Sequence, residues 1–120
     1  MIETILQINQ YISSNEWFEM EALNYDGRTM TIAGGLDLLT GSYSLKLLFT
    51  DVCFVAISLE SWAVDVNDVP IQILNGQEAR NFNLKHKITK GNQIFKLSGE
   101  DIDMYVAAKS CSFVVGNFSY

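Results

Sequence analysis

From Leu45 to Leu59 the chain runs Leu-Lys-Leu-Leu-Phe-Thr-Asp-Val-Cys-Phe-Val-Ala-Ile-Ser-Leu. Its odd positions are Leu45, Leu47, Phe49, Asp51, Cys53, Val55, Ile57 and Leu59, apolar at all but one. Even positions carry Leu48, Val52, Phe54 and Ala56 among polar residues. Side chains alternate faces along a strand, so one face is apolar throughout and the other mixed. Such a segment must be covered fully on one side and partly on the other, which predicts a long central strand.

The same periodicity organises the rest. Residues 2–14 fit a helical stripe through Ile5, Ile8 and Ile12, and also fit alternation through Ile2, Leu6, Ile8 and Ile12. Leu and Gln favour the helix, and Ser13-Ser14-Asn15 supplies a stop, so a short N-terminal helix is expected. From Trp17 the period becomes two, with Phe18, Met20 and Ala22 alternating with Glu19 and Glu21. Asp26-Gly27 predicts a type I′ hairpin turn, and Met30 and Ile32 continue on the return strand. Gly34-Gly35 permits a bend before Leu36-Asp37-Leu38-Leu39, and Thr40-Gly41-Ser42 turns the chain into the central strand.

Residues 60–68 read as a loop anchored by Trp62, and Pro70 opens a strand at Ile71. Gln77–Phe82 is expected to form one helical turn, followed by a basic hairpin from residues 83–88 and 93–97. Ser98-Gly99-Glu100-Asp101 has N-cap spacing and predicts another short helical turn. The last strand is expected at Met104–Val115, beside Leu45–Leu59. Seven or eight short strands without a βαβ pattern predict a mainly β fold, an antiparallel sheet curled into a sandwich or open barrel.

The length of 120 residues suits one domain. No apolar run approaches the ~20 residues that span a bilayer. Met-Ile-Glu-Thr-Ile-Leu-Gln lacks both parts of a secretory signal, so a cytoplasmic protein is expected. Cys53 and Cys111 then read as buried free thiols inside strands.

Chemistry finds little material here. The single His86 lies between Lys85 and Lys87 with no nearby acid to orient it. Burial in strands would raise the pKa of Cys53 and Cys111 rather than activate them. Asp65 with Asp68, or Glu100 with Asp101 and Asp103, lack EF-hand spacing and glycosidase partners. Too few thiols and histidines are present for a zinc site, and Gly34-Gly35 is not a phosphate loop. No enzyme activity, metal or cofactor is expected.

Charge is distributed unevenly. Net charge is −6, yet residues 1–68 hold ten acids against two bases, Arg28 and Lys46. Between residues 79 and 97 no acid occurs, but Arg80, Lys85, Lys87, Lys90 and Lys96 do. Phe82 and Phe95 interleave with these bases as nucleic-acid sites require, but the negative total makes a solvated hairpin the better reading. In the first half, Glu19, Glu21, Asp26 and Asp37 surround Trp17, Tyr25 and Tyr43. Acids around aromatic anchors suit a protein partner with a basic cleft.

The succession Leu47-Leu48-Phe49-Thr50-Asp51-Val52, Trp62 with Asp65, and Tyr105-Val106-Ala107-Ala108-Lys109-Ser110 resembles a group of small, acidic, uncharacterised bacterial proteins. Some of these are regarded as immunity proteins for polymorphic or contact-dependent toxins. The resemblance implies a cytosolic inhibitor that occludes a toxin active site. Two other classes stand beside it. One is a small-ligand or carbohydrate-binding sandwich using Trp62, Asp65 and Asn67. The other is a structural module that forms a homo-oligomer through an apolar edge strand.

Overall fold

The computed structural model describes residues 1–119. It opens with helix α1 (Ile2–Ser13), whose Ile5, Ile8 and Ile12 are buried. Ile2 and Leu6 are 82% and 54% exposed, so the helical stripe wins over the alternating one. Nine strands follow among the described residues. They are β1 (Glu19–Tyr25), β2 (Met30–Gly35), β3 (Ser42–Thr50), β4 (Phe54–Ala56), β5 (Trp62–Ala63), β6 (Ile71–Ile73), β7 (Gln93–Ser98), β8 (Asp103–Ala108) and β9 (Ser110–Ser119). A 3₁₀ turn at Leu38–Thr40 joins β2 to β3, and helix α2 (Gly76–His86) joins β6 to β7. All pairings are antiparallel, in one sheet ordered β5-β1-β2-β3-β9 and another ordered β4-β8-β7-β6. The fold is mainly β, two facing sheets with a short N-terminal helix, and it is not a closed barrel.

The expected central strand is two strands. β3 ends at Thr50, Asp51 takes the left-handed conformation (φ 53°), and the chain re-enters as β4 in the other sheet. Its neighbour does the same, because Met104–Val115 breaks at Lys109 into β8 and β9. β3 pairs with β9 and β4 with β8, so one two-stranded ribbon folds over a corner and supplies strands to both sheets. The corner changes which side chains face inward. Leu45, Leu47 and Phe49 are buried before it and Val52 after it; Met104, Val106 and Ala108 are buried on β8, then Cys111 on β9. Cys53 lands on the corner and is exposed, contrary to its expected burial. Periodicity shows which residues share a face but not where the ribbon bends.

Three other expectations are corrected. Residues 76–86 form a full helix, so no basic hairpin begins at residue 83. Its Ala79, Phe82, Asn83 and His86 are half-buried, and Phe82 and His86 rest on Phe54 of the four-stranded sheet. Packing against that sheet stabilises a helix whose own sequence is too polar to announce one. Residues 99–102 form no helical turn; Gly99 N–H donates to Ile102 O at 2.8 Å and closes the β7–β8 hairpin. The β1–β2 connection is a four-residue loop between Tyr25 and Met30 rather than a two-residue turn. There the Asp26 carboxylate accepts the Arg28 and Thr29 N–H groups at 2.9 and 2.7 Å, and Gly27 alone takes positive φ.

The core lies between the sheets, with Phe49 edge-on to Phe95 at 5.2 Å. Helix α1 closes one open side. Its Asn9 donates to Ile71 O at 2.9 Å and accepts from Ile71 N–H at 3.0 Å, giving the outer edge of β6 the hydrogen bonds of an absent strand. Trp62, expected in a loop, pairs with Met20 in β5 and is buried at 7% exposure.

Candidate functional site

Two of the candidate acids, Glu19 and Asp37, meet at one end of the five-stranded sheet. Gly35 eases this geometry: a Cβ there would crowd the Ser42 carbonyl oxygen at 3.1 Å. Beyond it the chain enters the 3₁₀ turn. Asp37 caps that turn by accepting the Leu39 N–H at 3.0 Å, and the Thr40 hydroxyl donates to Asp37 O at 2.9 Å. The Glu19 carboxylate accepts the Leu38 N–H from the adjacent strand at 3.4 Å. Leu38 is buried in a small outer cluster with Ala33 and Tyr43, while Leu36 and Leu39 are 59% and 98% exposed. Two leucines thus flank Asp37 on a tethered turn.

The structure separates the remaining candidates. Trp17, two residues before β1, is 44% exposed at the same end. Tyr43 is buried at 3% and its hydroxyl donates to Glu21 at 2.5 Å, so it supports the sheet surface rather than anchoring a partner. Tyr25 and Asp26 lie at the opposite end of β1, about 20 Å away at ~3.3 Å per residue. Hydrogen bonds from the Thr29 and Arg28 amides hold the Asp26 carboxyl below its usual value. The two exposed leucines had a sequence signal, an apolar Leu-Asp-Leu-Leu between the turn pairs Gly34-Gly35 and Thr40-Gly41.

The ligand-binding candidates do not converge. Trp62 is buried and does not line the small cavity that Asp65 borders with Phe18, Asp68 and Pro70. That cavity holds about 80 Å³, against ~300–1,000 Å³ for ordinary ligand sites. Asn67 is exposed, its N–H donating to the Asp65 carboxylate at 2.9 Å in a local turn. The indole therefore has no exposed face to stack on a sugar. A larger groove of about 570 Å³ runs between β1 and β4, lined by Tyr25, Cys53, Val55, Ile57 and Leu59 among others, and is mostly apolar.

The reactive side chains are dispersed. His86 packs at a tilt against both Phe54 and Phe82, with ring centroids at 4.6 and 4.4 Å. Burial pushes the Cys111 thiol up to about 12, far from a nucleophile's range. Asp103 lies 3.7 Å from Lys96 across the β7–β8 hairpin. Among the described residues, no three His, Cys, Asp or Glu side chains are grouped to hold a metal ion. Arg80, Lys85, Lys87 and Lys90 are exposed on and beyond α2. Phe95 is fully buried, and Phe82 is held among Phe54, His86 and Tyr105, so neither offers a free ring to a base. No described helix is long and apolar enough to cross a membrane.

No protein-family model, curated protein or solved structure matches this chain.

Proposed function

We propose that the chain is a non-enzymatic binding domain that engages a protein partner with the acidic, leucine-bearing end of its five-stranded sheet. The observation that carries this reading is the capped turn presenting Leu36 and Leu39 on either side of Asp37, beside Glu19. Burying one such leucine stabilises a complex by ~1.5–3 kcal/mol. The surrounding carboxylates, with Glu16 and Glu19 nearby, steer a basic surface toward them. Because the turn is already ordered by side-chain hydrogen bonds, little conformational entropy is lost on binding.

In its sharpest form, the domain is a cytoplasmic immunity protein that covers the basic active-site cleft of a toxin. An acidic plug with apolar anchors neutralises such a cleft and excludes its substrate. The dispersed catalytic inventory fits a protein that blocks chemistry rather than performs it.

The test is to identify the genes that neighbour this one and, where a large secreted toxin is encoded beside it, to titrate that toxin calorimetrically. Leu39→Ala, and Asp37→Asn, which keeps an oxygen to accept the Leu39 N–H, should each weaken binding at least tenfold, equivalent to ~1.4 kcal/mol or more, without lowering the melting temperature. Affinity should also fall with added salt. A complex indifferent to both substitutions would remove this surface from the reading, and enzyme-like turnover of any substrate would remove the non-enzymatic assignment.

A further inference from the structure

Among the described residues the two sheets end in four edge strands, three of them short; β5 covers only Glu19 and Met20 of β1, whose remaining edge carries the charge of Glu21. β5 has two residues, β4 has three, and β6 has three with Ile71 already hydrogen-bonded by Asn9. Edges treated this way resist adventitious pairing. The fourth is different. β9 runs ten residues, Ser110–Ser119, with no Asp, Glu, Lys, Arg or Pro, and among the described residues β3 alone pairs with it. Ser112 and Val114–Asn117 are exposed, Val114 and Val115 by 46% and 47%. Helix α1 approaches its far end, where Tyr11 and Asn15 share a shallow groove with Asn117.

We infer that β9 is a homodimer edge, pairing antiparallel with β9 of a second copy about a two-fold axis perpendicular to the sheet.

Charge decides the occupant. The chain carries −6, so two copies repel over most of their surfaces. β9 is a stretch where they meet without like charges opposed, because each strand is neutral over its whole length. A partner recognised by charge would find nothing to pair with on this strand, whereas a copy matches it by neutrality and apolar contact. The nearest bases do not obstruct the approach: Lys46 lies with Nζ 4.4 Å from the Phe118 ring centroid, and Lys109 sits outside the strand at the corner.

Register follows from geometry. Between Tyr43 and Leu45 the β3–β9 pairing slips, so Gly116 and Asn117 stand against Ser44 alone. That bulge confines regular pairing to Ser110–Val115. A two-fold axis normal to the sheet keeps inner side chains inner, so the register centres on a residue. Centred on Phe113, it sets Ser112 opposite Val114 and Cys111 opposite Val115. Joining the copies covers Val114 and Val115, satisfies the outward backbone groups of β9, and makes one continuous sheet from two five-stranded ones.

The experiment is sedimentation equilibrium of the whole chain from micromolar to millimolar concentration, with amide hydrogen exchange at both ends of that range. The single-chain mass is 13.5 kDa, and twice that value is expected to appear as concentration rises. Val114→Glu places a carboxylate beside Lys46, its cross-strand neighbour, which keeps the single chain folded. In the pair it brings two carboxylates onto one face close to the axis, so the dimer should weaken at least tenfold. Ser112→Lys, also exposed, should act in the same direction and decides the matter if Val114→Glu misfolds. Amides of Ser110–Val115 should exchange more slowly at high concentration. One-chain mass throughout, a dimer unaffected by the folded variants, or β9 amides indifferent to concentration would each overturn the inference. The Leu36–Asp37 turn assigned to toxin binding borders the groove at the Asn117 end of β9 but not the paired stretch Ser110–Val115, so Leu39→Ala tests that reading while Val114→Glu tests this one.

Discussion

Replacing Gly34 with alanine should drive a methyl group into the ring of Phe18. A Cβ at Gly34 would lie 2.4 Å from Phe18 Cε2, and 3.1 Å from both Phe18 Cζ and the Glu19 carbonyl oxygen. Comfortable carbon contacts are ~3.5–4.0 Å, so the overlap exceeds about 1 Å. The ring has little room to move. Phe18 is 3% exposed and perpendicular to Tyr11 at a centroid distance of 6.1 Å, while Gly34 itself lies between Met20 and Leu45 in the sheet. Overpacking of this kind costs ~1–3 kcal/mol. Removing glycine's backbone freedom offsets ~0.5–1 kcal/mol of that. Because the overlap is with a buried ring, the upper half of the overpacking range applies, and the net loss should be about 1–2.5 kcal/mol, or roughly 4–10 °C in melting temperature for a chain of this size. Urea unfolding followed by circular dichroism measures it. Adding Phe18→Leu should recover part of the loss, so the double variant should be more stable than the summed single effects predict. An alanine variant as stable as the parent would refute the close packing of Phe18 on Gly34.

Other consequences can be checked by similar means. Asn9→Ala leaves the outward N–H and C=O of Ile71 without their side-chain partner and should cost about 1–3 kcal/mol in denaturant unfolding. The Asp26 carboxyl is held below its usual 3.8 by the Thr29 and Arg28 amides, so its contribution is present above that value and lost as pH falls through the lower folded one. Asp26→Asn keeps an acceptor but does not titrate, and should flatten this part of the acid limb when urea midpoints are measured against pH. An aromatic disulfide reagent near neutral pH should label exposed Cys53 in the folded chain and both cysteines in urea, because Cys111 is buried with its thiol pushed up to about 12. Rapid labelling of both in the folded protein would contradict that burial.

How much of the candidate surface was legible depends on the kind of signal. The acids of residues 16–37 are plain in the composition, but their arrangement is not. Glu19 and Asp37 meet because β1 and the 3₁₀ turn are neighbours in space, whereas Tyr25 and Asp26 are carried to the other end of the same strand. Tyr43 and Trp62 looked like anchors because large aromatics serve equally well inside and outside. Only their neighbours reveal that both are buried. Leu39 shows the converse, an apolar residue that periodicity assigns to no core and that the turn leaves in solvent.

Local pattern by itself determined the half-buried strands and favoured an N-terminal helix, while leaving alternation open there until Ile2 and Leu6 proved exposed. Ile5, Ile8 and Ile12 make a helical stripe, and Phe18, Met20 and Ile32 recur at the strand period, whatever surrounds them. Tertiary structure decided where long apolar runs break and what covers each face. The corners at Asp51 and Lys109 cost backbone strain or lost pairing locally, and they persist because the ribbon then contributes to two sheets around one core. Likewise α2 is held by the aromatic rings beneath it rather than by its own composition. Periodicity records the alternatives each segment can adopt. Contacts between residues distant in sequence select among them, because burial free energy is gained only when both surfaces meet.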